Sequence, residues 1–433
     1  MSHGAHLVVG PGHEAGMVAA TLAATGATVT LVRTAPGLPP ELACARGATW
    51  RAEPEHAAIG ARVHGPTTPA TSVAVGVFVA GAPRVLPLEP WTMGAILPTG
   101  HRRSAARSWL RARARNALSV VVGGGQEERT YRDWVVRRMG APAYDLLYAD
   151  YAERRWGRQG DHLSASLARV AHSPALATSR VQPTDVRDHG AERTEALLST
   201  LGVEVHASEV RRFHIQGKRI GTVELADTFL DTTDHTVWST LSPAQTADCL
   251  GADCPPTARH LAASLGSLAA GRVRLSHARS GIGDELHILD PAPCWRFVRA
   301  PDAPDHWLVS FTGSPSSATL EDIRDFAVQG GLVDSGSRIV ASGALPGGEP
   351  VWGPVDHARL RTVLDTWRPL GLHSTGSAGT LTPLDPTSLV AHVQHLLKEG
   401  AGGLQEAWRT IAAPPTRVDD LGARITHFFA ATQ

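Results

Sequence analysis

The residues best suited to bind a ligand form a glycine turn near the start of the sequence. Gly10, Gly12 and Ala15 complete a G-x-G-x-x-A pattern, and Gly16 follows directly. Glycines in such a turn let the backbone approach a diphosphate, and the free N–H groups that begin the next helix attract its charge. The pattern therefore predicts a dinucleotide-binding site at Gly10, Gly12, Ala15 and Gly16.

The segments around this turn have the composition of a βαβ unit. An apolar strand is predicted over residues 6–9, an alanine-rich helix over 16–25 and a β-branched strand over 28–32. This arrangement is typical of a Rossmann-like fold. Arg33 ends the second strand, where such folds usually place an acid that accepts hydrogen bonds from ribose. Arginine only donates hydrogen bonds. Arg33 therefore indicates either that the site binds an anion, such as the 2′-phosphate of NADP, or that the side chain points to solvent.

A second candidate site is a run of arginines that contains no acid. Three of these arginines are four residues apart, so they share one face of a predicted helix. If this face reaches a cleft, Arg107 and Arg111 are predicted to bind an anionic substrate, whereas a solvated helix face is the commoner explanation. The arginines of the run are Arg102, Arg103, Arg107, Arg111, Arg113 and Arg115.

Aromatic residues are concentrated between positions 130 and 157, where all four tyrosines lie. Tyr144, Tyr148 and Tyr151 fall on one face of a predicted helix, and Trp156 lies just beyond. Such a stripe either packs one helix against another or lines a cavity for a flat ligand. These four residues are therefore candidates for substrate binding.

Composition narrows the class of protein. The 433 residues carry a formal net charge of zero, which argues against nucleic-acid and membrane-surface partners. The four cysteines have no metal-finger spacing, no histidine pair has a third ligand nearby, and we expect no metal site. The first strand begins almost at Met1 and no apolar run is long enough to span a membrane, so we expect a cytoplasmic protein.

The chain is long enough for a composite of two lobes. We expect an α/β protein in which a Rossmann-like FAD/NAD(P)-binding domain carries an inserted substrate domain of antiparallel sheet and helices. The predicted parts are a nucleotide-binding part over 1–90, a helical cap over 91–190, a return to the nucleotide-binding domain over 191–250, an antiparallel β part over 251–350 and a closing part over 351–433.

Several segments, taken in chain order, resemble the FAD-dependent amine oxidase and protoporphyrinogen oxidase superfamily, and most of all its UDP-galactopyranose mutase branch. Besides the opening βαβ unit, the similar segments read TYRDWVVRRMG, YDLLYADYAERRWG, DHTVWSTLSP and GLHSTGSAGTLTPLDPTSLVAHV. The resemblance implies bound FAD, whose flavin ring carries the redox chemistry. It places Gly376 and Ser377 near the ribityl chain and Asp385 near the ring.

The sequence departs from this family where the family contacts its cofactor. Arg33 replaces the ribose-binding acid, the stretch 36–40 lacks a Gly-Gly-Arg turn, and Ser377 follows Gly376 where arginine is usual. Two hypotheses remain beside NADP binding. One is an FAD-dependent oxidoreductase or redox-isomerase that acts on a sugar nucleotide or a natural-product intermediate of bacterial secondary metabolism. The other is a flavin-free relative that binds a small molecule or a partner protein, or catalyses non-redox chemistry.

The sequence identifies no catalytic acid–base pair. Neither an H-E-x-x-H nor a G-x-S-x-G pattern occurs, and the many histidines are scattered. We expect a small-molecule ligand, and the chain could form a homodimer or pair with another protein.

Overall fold

The computed structural model describes residues 4–34, 42, 75–85, 96–97, 99–122, 128–168, 190–300, 303–345, 348–381, 389, 392–393 and 396–397. Asp385 lies outside these residues, and so does the stretch 54–61, for which the sequence predicts a helix. None of the described helices combines the length and the apolarity needed to cross a membrane. The described residues also contain no group of histidines, cysteines and acids able to hold a metal ion.

The described strands and helices alternate in the first third of the chain and become strand-rich later. The strands are β1 Ala5–Gly10, β2 Thr28–Arg33, β3 Val75–Val79, β4 Ala82–Val85, β5 Glu204–Ala207, β6 Val210–Gln216, β7 Arg219–Leu225, β8 Phe229–Asp231, β9 His235–Ser239, β10 Ser267–Leu268, β11 Ala270–Leu275, β12 Glu285–Ile288, β13 Arg296–Arg299, β14 Trp307–Thr312, β15 Ile339–Ala344, β16 Glu349–Pro350 and β17 Leu372–Ser374. The main helices are α1 Gly12–Ala23, α2 Arg102–Val122, α3 Tyr131–Met139, α4 Ala149–Trp156, α5 Gly190–Thr200, α6 Pro243–Leu250, α7 Pro256–Ser264, α8 Ser317–Gln329, α9 Asp356–Trp367 and α10 Gly376–Thr380.

A five-stranded parallel sheet forms the first lobe, in the order β17-β9-β1-β2-β5. Strand β1 is central because its apolar side chains are buried on both faces, as parallel sheets require. Helix α1 covers one face and packs Met17, Val18 and Leu22 against Leu31 and Trp238. The predicted Rossmann-like fold is therefore confirmed. Strands from distant parts of the chain meet here, so their carboxyl ends converge on one edge.

A seven-stranded sheet forms the second lobe, in the order β15-β11-β14-β13-β12-β3-β4. Neighbouring strands within this sheet are antiparallel, except that β3 and β12 run parallel to each other. The predicted antiparallel sheet is confirmed, and the hairpin β3–β4 from the N-terminal part of the chain extends it. Strands β6, β7 and β8 form a smaller antiparallel sheet, and β10 pairs with β16.

Two local expectations were wrong. The glycines of the stretch 371–379 predict a glycine-rich loop, but the stretch contains β17 and α10. The reason is tertiary: Leu372 is buried and pairs with Val237 of β9, which makes this short segment an edge strand. Helix α1 begins at Gly12 and not at Gly16, because the turn itself supplies the first helical turn.

Candidate functional site

Three loops meet where β1, β9 and β17 end. Their backbones are tied together, since Thr240 N–H donates to Val9 O (2.8 Å) and Thr375 N–H donates to Ser239 O (2.8 Å). Ligands of open α/β sheets bind at this kind of edge. We call the group Gly10, Gly12, Glu14, Thr240, Gly376 and Ser377 the glycine-turn site.

Gly10, the first glycine of this site, is explained by the close approach of Thr240 to its backbone. A Cβ atom on Gly10 would collide with the hydroxyl of Thr240, so the space that this glycine opens is filled by the chain itself. Gly12 has a φ of 64°, a left-handed conformation that favours glycine, and it starts α1. Ala15 and Gly16 are buried in the interface of α1 with its neighbours.

Glu14 dominates the charge of the glycine-turn site. It lies in the first turn of α1, and its carboxylate accepts the N–H of Ser377 (2.8 Å) and the Ser377 hydroxyl (2.6 Å). These bonds join residues 363 positions apart. A negative charge at a helix N-terminus is stabilised by the helix dipole, which is the interaction that a bound diphosphate would otherwise make.

Gly376 permits this contact. Its φ is 77°, a backbone conformation that favours glycine, and a Cβ on it would lie 2.8 Å from Glu14 Oε2 and displace that carboxylate. Burial raises the pKa of Glu14, and the two hydrogen bonds from Ser377 partly offset that rise. Gly376 and Ser377, which the resemblance placed beside a cofactor, therefore contact Glu14 in this structure.

We expect Glu14→Ala to lower the free energy of unfolding by about 1–3 kcal/mol, because the N–H of Ser377 loses its acceptor. Glu14→Gln keeps one oxygen acceptor and should cost less than about 1 kcal/mol. Chemical denaturation of the three proteins measures both effects. Equal stability of wild type and Glu14→Ala would show that the bonds to Ser377 are not formed in solution.

Arg33 ends β2 and pairs with an acid of the neighbouring helix. Its guanidinium lies 2.6 Å from Glu195 Oε1, and its side chain is 21% exposed. The same guanidinium lies beside Gly16, where a Cβ would be 3.7 Å from it. Arg33 therefore neither points freely to solvent nor presents an uncompensated charge, and its role in cofactor binding stays a prediction.

The predicted tyrosine stripe lies in the core between the lobes. Tyr144–Tyr148 form a π-helix, which shifts the stripe from regular α-helical spacing. Tyr148, Tyr151 and Trp156 are 1%, 0% and 1% exposed, and Tyr144 is 5% exposed. Such complete burial favours the packing interpretation, and a role in substrate binding stays a prediction.

Tyr151 is the centre of a buried polar network. Its hydroxyl lies 3.0 Å from His287 Nδ1 and accepts a hydrogen bond from Arg155 Nη1 (3.0 Å). Arg155 also donates twice to Glu349 Oε1, at 2.9 and 3.2 Å. His287 Nε2 lies 3.2 Å from Glu285 Oε1. We call these five residues the Tyr151 network.

The electrostatics of the Tyr151 network determine which of its groups carry a proton. Burial lowers the pKa of His287 and outweighs the opposing effect of Glu285, so the imidazole is neutral at pH 7. Burial disfavours the charged form of Glu285, but Arg296 and His287 outweigh it and lower the pKa of Glu285. Neutral His287 can then donate from Nε2 to Glu285 and accept the Tyr151 hydroxyl at Nδ1. The network holds the second-lobe sheet against α4.

The arginine run lies on α2. Arg107 and Arg111 are exposed, and neither lies within the Tyr151 network or the glycine-turn site. Their predicted role in substrate binding is not supported by any contact in the described residues and stays a prediction.

Sequence reasoning missed several residues of both sites. Glu14 was visible inside the glycine turn, and Thr240 lies in the segment DHTVWSTLSP, so both had a signal. His287 and Glu349 had none, because each meets its partner across long stretches of chain.

The described architecture is that of a class of two-lobed α/β proteins, the fold that the sequence predicted. Within that class it is similar to reduced UDP-galactopyranose mutase, with a TM-score of 0.70, 14% identity and coverage of 95% of this chain and 98% of the other. A protoporphyrinogen oxidase-like protein of an Exiguobacterium species matches with a TM-score of 0.63, 13% identity and coverage of 94% and 100%. A conjugated-linoleic-acid-producing fatty acid isomerase of P. acnes gives 0.63, 9% and coverage of 92% and 98%. The sequence matches no protein-family model and no curated protein.

Proposed function

We propose that this chain is a flavin-free relative of the FAD-dependent oxidoreductases, which uses their fold to bind a small molecule without redox chemistry. The observation that carries the proposal is the Glu14 carboxylate at the N-terminus of α1, hydrogen-bonded to Ser377. The N–H and the hydroxyl of Ser377, which lie at this edge of the sheet, already donate to an anion of the protein itself.

Bound FAD would place its diphosphate next to this carboxylate. Two like charges brought together at one helix N-terminus repel each other. Thr240 adds a steric obstacle, because its hydroxyl lies against the Cα of Gly10 where the backbone would have to be open. The residues of the glycine-turn site therefore do not fit a diphosphate.

The residue at the predicted ribose position, Arg33, does not suit a dinucleotide either. Arg33 cannot accept hydrogen bonds from ribose hydroxyls. Its pairing with Glu195 at 2.6 Å also compensates the charge that the 2′-phosphate of NADP would need. These contacts count against both FAD and NADP, and they do so independently of Glu14.

The competing function is an FAD-dependent oxidoreductase that acts on a small metabolite, such as a sugar nucleotide or a natural-product intermediate. The overall fold and the G-x-G turn support it. It requires Glu14 to release Ser377 and turn away from the helix N-terminus, which would leave the Ser377 N–H for the cofactor.

Thermal unfolding in the presence of FAD and of NADPH separates these functions. A ligand at a hundred times its Kd stabilises a protein by about 2.7 kcal/mol, which raises Tm by several degrees. We expect neither nucleotide to change the Tm, with a known flavoenzyme stripped of its cofactor as the positive control. A saturable rise in Tm with FAD would overturn the proposal, and a rise with NADPH alone would support the NADP alternative.

A further inference from the structure

An open cavity of about 650 Å³ lies apart from the glycine-turn site and from the Tyr151 network. It is formed by the end of α4, the turn over Gly160–His162, the last residue of α7 and the loop that begins α9. Its volume falls in the range of small-molecule sites in proteins. The groups that line it decide which ligand it suits.

Asp356 organises the floor of this cavity. Its side chain is 5% exposed and accepts the N–H of Gly353 at 2.6 Å and Nη1 of Arg359 at 3.0 Å. Arg158 Nη1 lies 3.9 Å from the same carboxylate. One buried carboxylate thus holds two guanidinium groups at the cavity, and the floor keeps one net positive charge.

Both guanidinium groups still have donors for a ligand. The side chains of Arg158 and Arg359 are 40% and 46% exposed, and only one N–H of Arg359 is used by Asp356. A planar guanidinium binds carboxylates through paired hydrogen bonds. The exposed acids Glu153 and Asp161 also line the cavity, and Asp161 lies 3.9 Å from Nη1 of Arg132. The lining therefore carries groups of both charges.

We propose that this cavity binds a small zwitterion, with its carboxylate on Arg158 and Arg359 and its ammonium group toward Glu153 and Asp161. Val355, which is 55% exposed, offers an apolar surface for the rest of the ligand. A phosphate dianion fits less well, because Glu153 and Asp161 would repel its second charge. The inference does not depend on whether the chain binds flavin.

Saturation-transfer NMR with three matched probes tests this site. L-leucine carries both charges, 4-methylpentanoate lacks the amine and 3-methylbutylamine lacks the carboxylate. We expect leucine to bind most tightly, 4-methylpentanoate more weakly and the amine not at all. Loss of the leucine signal on addition of an equal concentration of inorganic phosphate, tight binding of the amine, or no binding of either carboxylate at millimolar concentration would overturn the proposal.

Substitutions of Arg158 and Arg359 test whether leucine binds in this cavity. Arg158→Gln and Arg359→Gln should each raise the Kd for leucine by about tenfold or more, since each removes a charge-assisted hydrogen bond. Arg279→Gln is the matched control, because Arg279 is equally exposed and pairs with Asp334 elsewhere on the surface. Unchanged circular dichroism and Tm verify folding. Leucine affinity equal to wild type in both Arg158→Gln and Arg359→Gln would refute the assignment to this cavity.

Discussion

Replacing Glu349 with alanine is expected to lower the free energy of unfolding by about 3–5 kcal/mol. Glu349 Oε1 accepts two hydrogen bonds from Arg155, and the two side chains are 14% and 10% exposed. Arg155 cannot lose its proton, so the substitution leaves a buried charge whose remaining side-chain hydrogen bond, within the part of the chain that the structure describes, is the one to the Tyr151 hydroxyl. The change should be visible as a large shift of the denaturation midpoint.

The surroundings of Arg155 make relaxation difficult. Its guanidinium is stacked over the ring of Trp295 at 4.0 Å and that of Trp156 at 4.6 Å. Asp334→Ala is the matched control, since it breaks an exposed ion pair with Arg279 and should cost less than about 1 kcal/mol. If Glu349→Ala proved as mild as Asp334→Ala, the Tyr151 network would not stabilise the contact between α4 and the second-lobe sheet.

Acid is expected to destabilise the protein through its buried histidines. Burial, with Arg368 and other nearby cations, lowers the pKa of His373 to about 4. The unfolded chain takes up a proton near pH 6.5, whereas the folded chain resists it until about pH 4. Stability is therefore full above pH 6.5 and falls by about 1.4 kcal/mol per pH unit down to pH 4, a loss of about 3 kcal/mol from this residue.

A variant isolates this contribution. His373 stacks on Trp238 with 4.9 Å between ring centroids, so His373→Phe keeps an aromatic ring in place and removes the titrating group. Its unfolding free energy should depend on pH between 4 and 6.5 less steeply than that of wild type, by about 3 kcal/mol in total. Substitution of the exposed His260 with Gln provides the control. An unchanged pH dependence in His373→Phe would contradict the prediction.

Other groups add to the acid sensitivity and one opposes it. Burial also lowers the pKa values of His6, His287 and His357. Each of these histidines therefore makes the folded protein less stable as pH falls. Glu14 acts in the opposite direction, because burial raises its pKa and acid relieves the cost of its charge. Comparison of His373→Phe with wild type cancels these shared effects.

Local sequence patterns were sufficient to predict the βαβ unit of the first lobe. Glycines at positions 10 and 12, alanines along α1 and β-branched residues over 28–32 each favour the element that forms. A Gln-Gly-Lys turn between two alternating segments likewise predicts the strand pair β6–β7 that forms. These elements depend on interactions within about thirty residues.

The decisive contacts of the candidate site depend on partners that no local pattern reveals. Glu14 bonds to Ser377, 363 positions away, and Arg155 bonds to Glu349, 194 positions away. The π-helix at Tyr144–Tyr148 is also a tertiary effect, since the hydroxyl of Tyr144 occupies the space beside Gly160. Helical spacing alone therefore gave the residues of the stripe but not their environment.

The absorbance spectrum of the purified, full-length chain tests the central claim most directly. Expression should be carried out with ample riboflavin, and the supernatant of the denatured protein should be assayed for released FAD. We predict a colourless protein without the flavin band at about 450 nm and without released cofactor. A yellow protein that releases close to one equivalent of FAD would contradict the account.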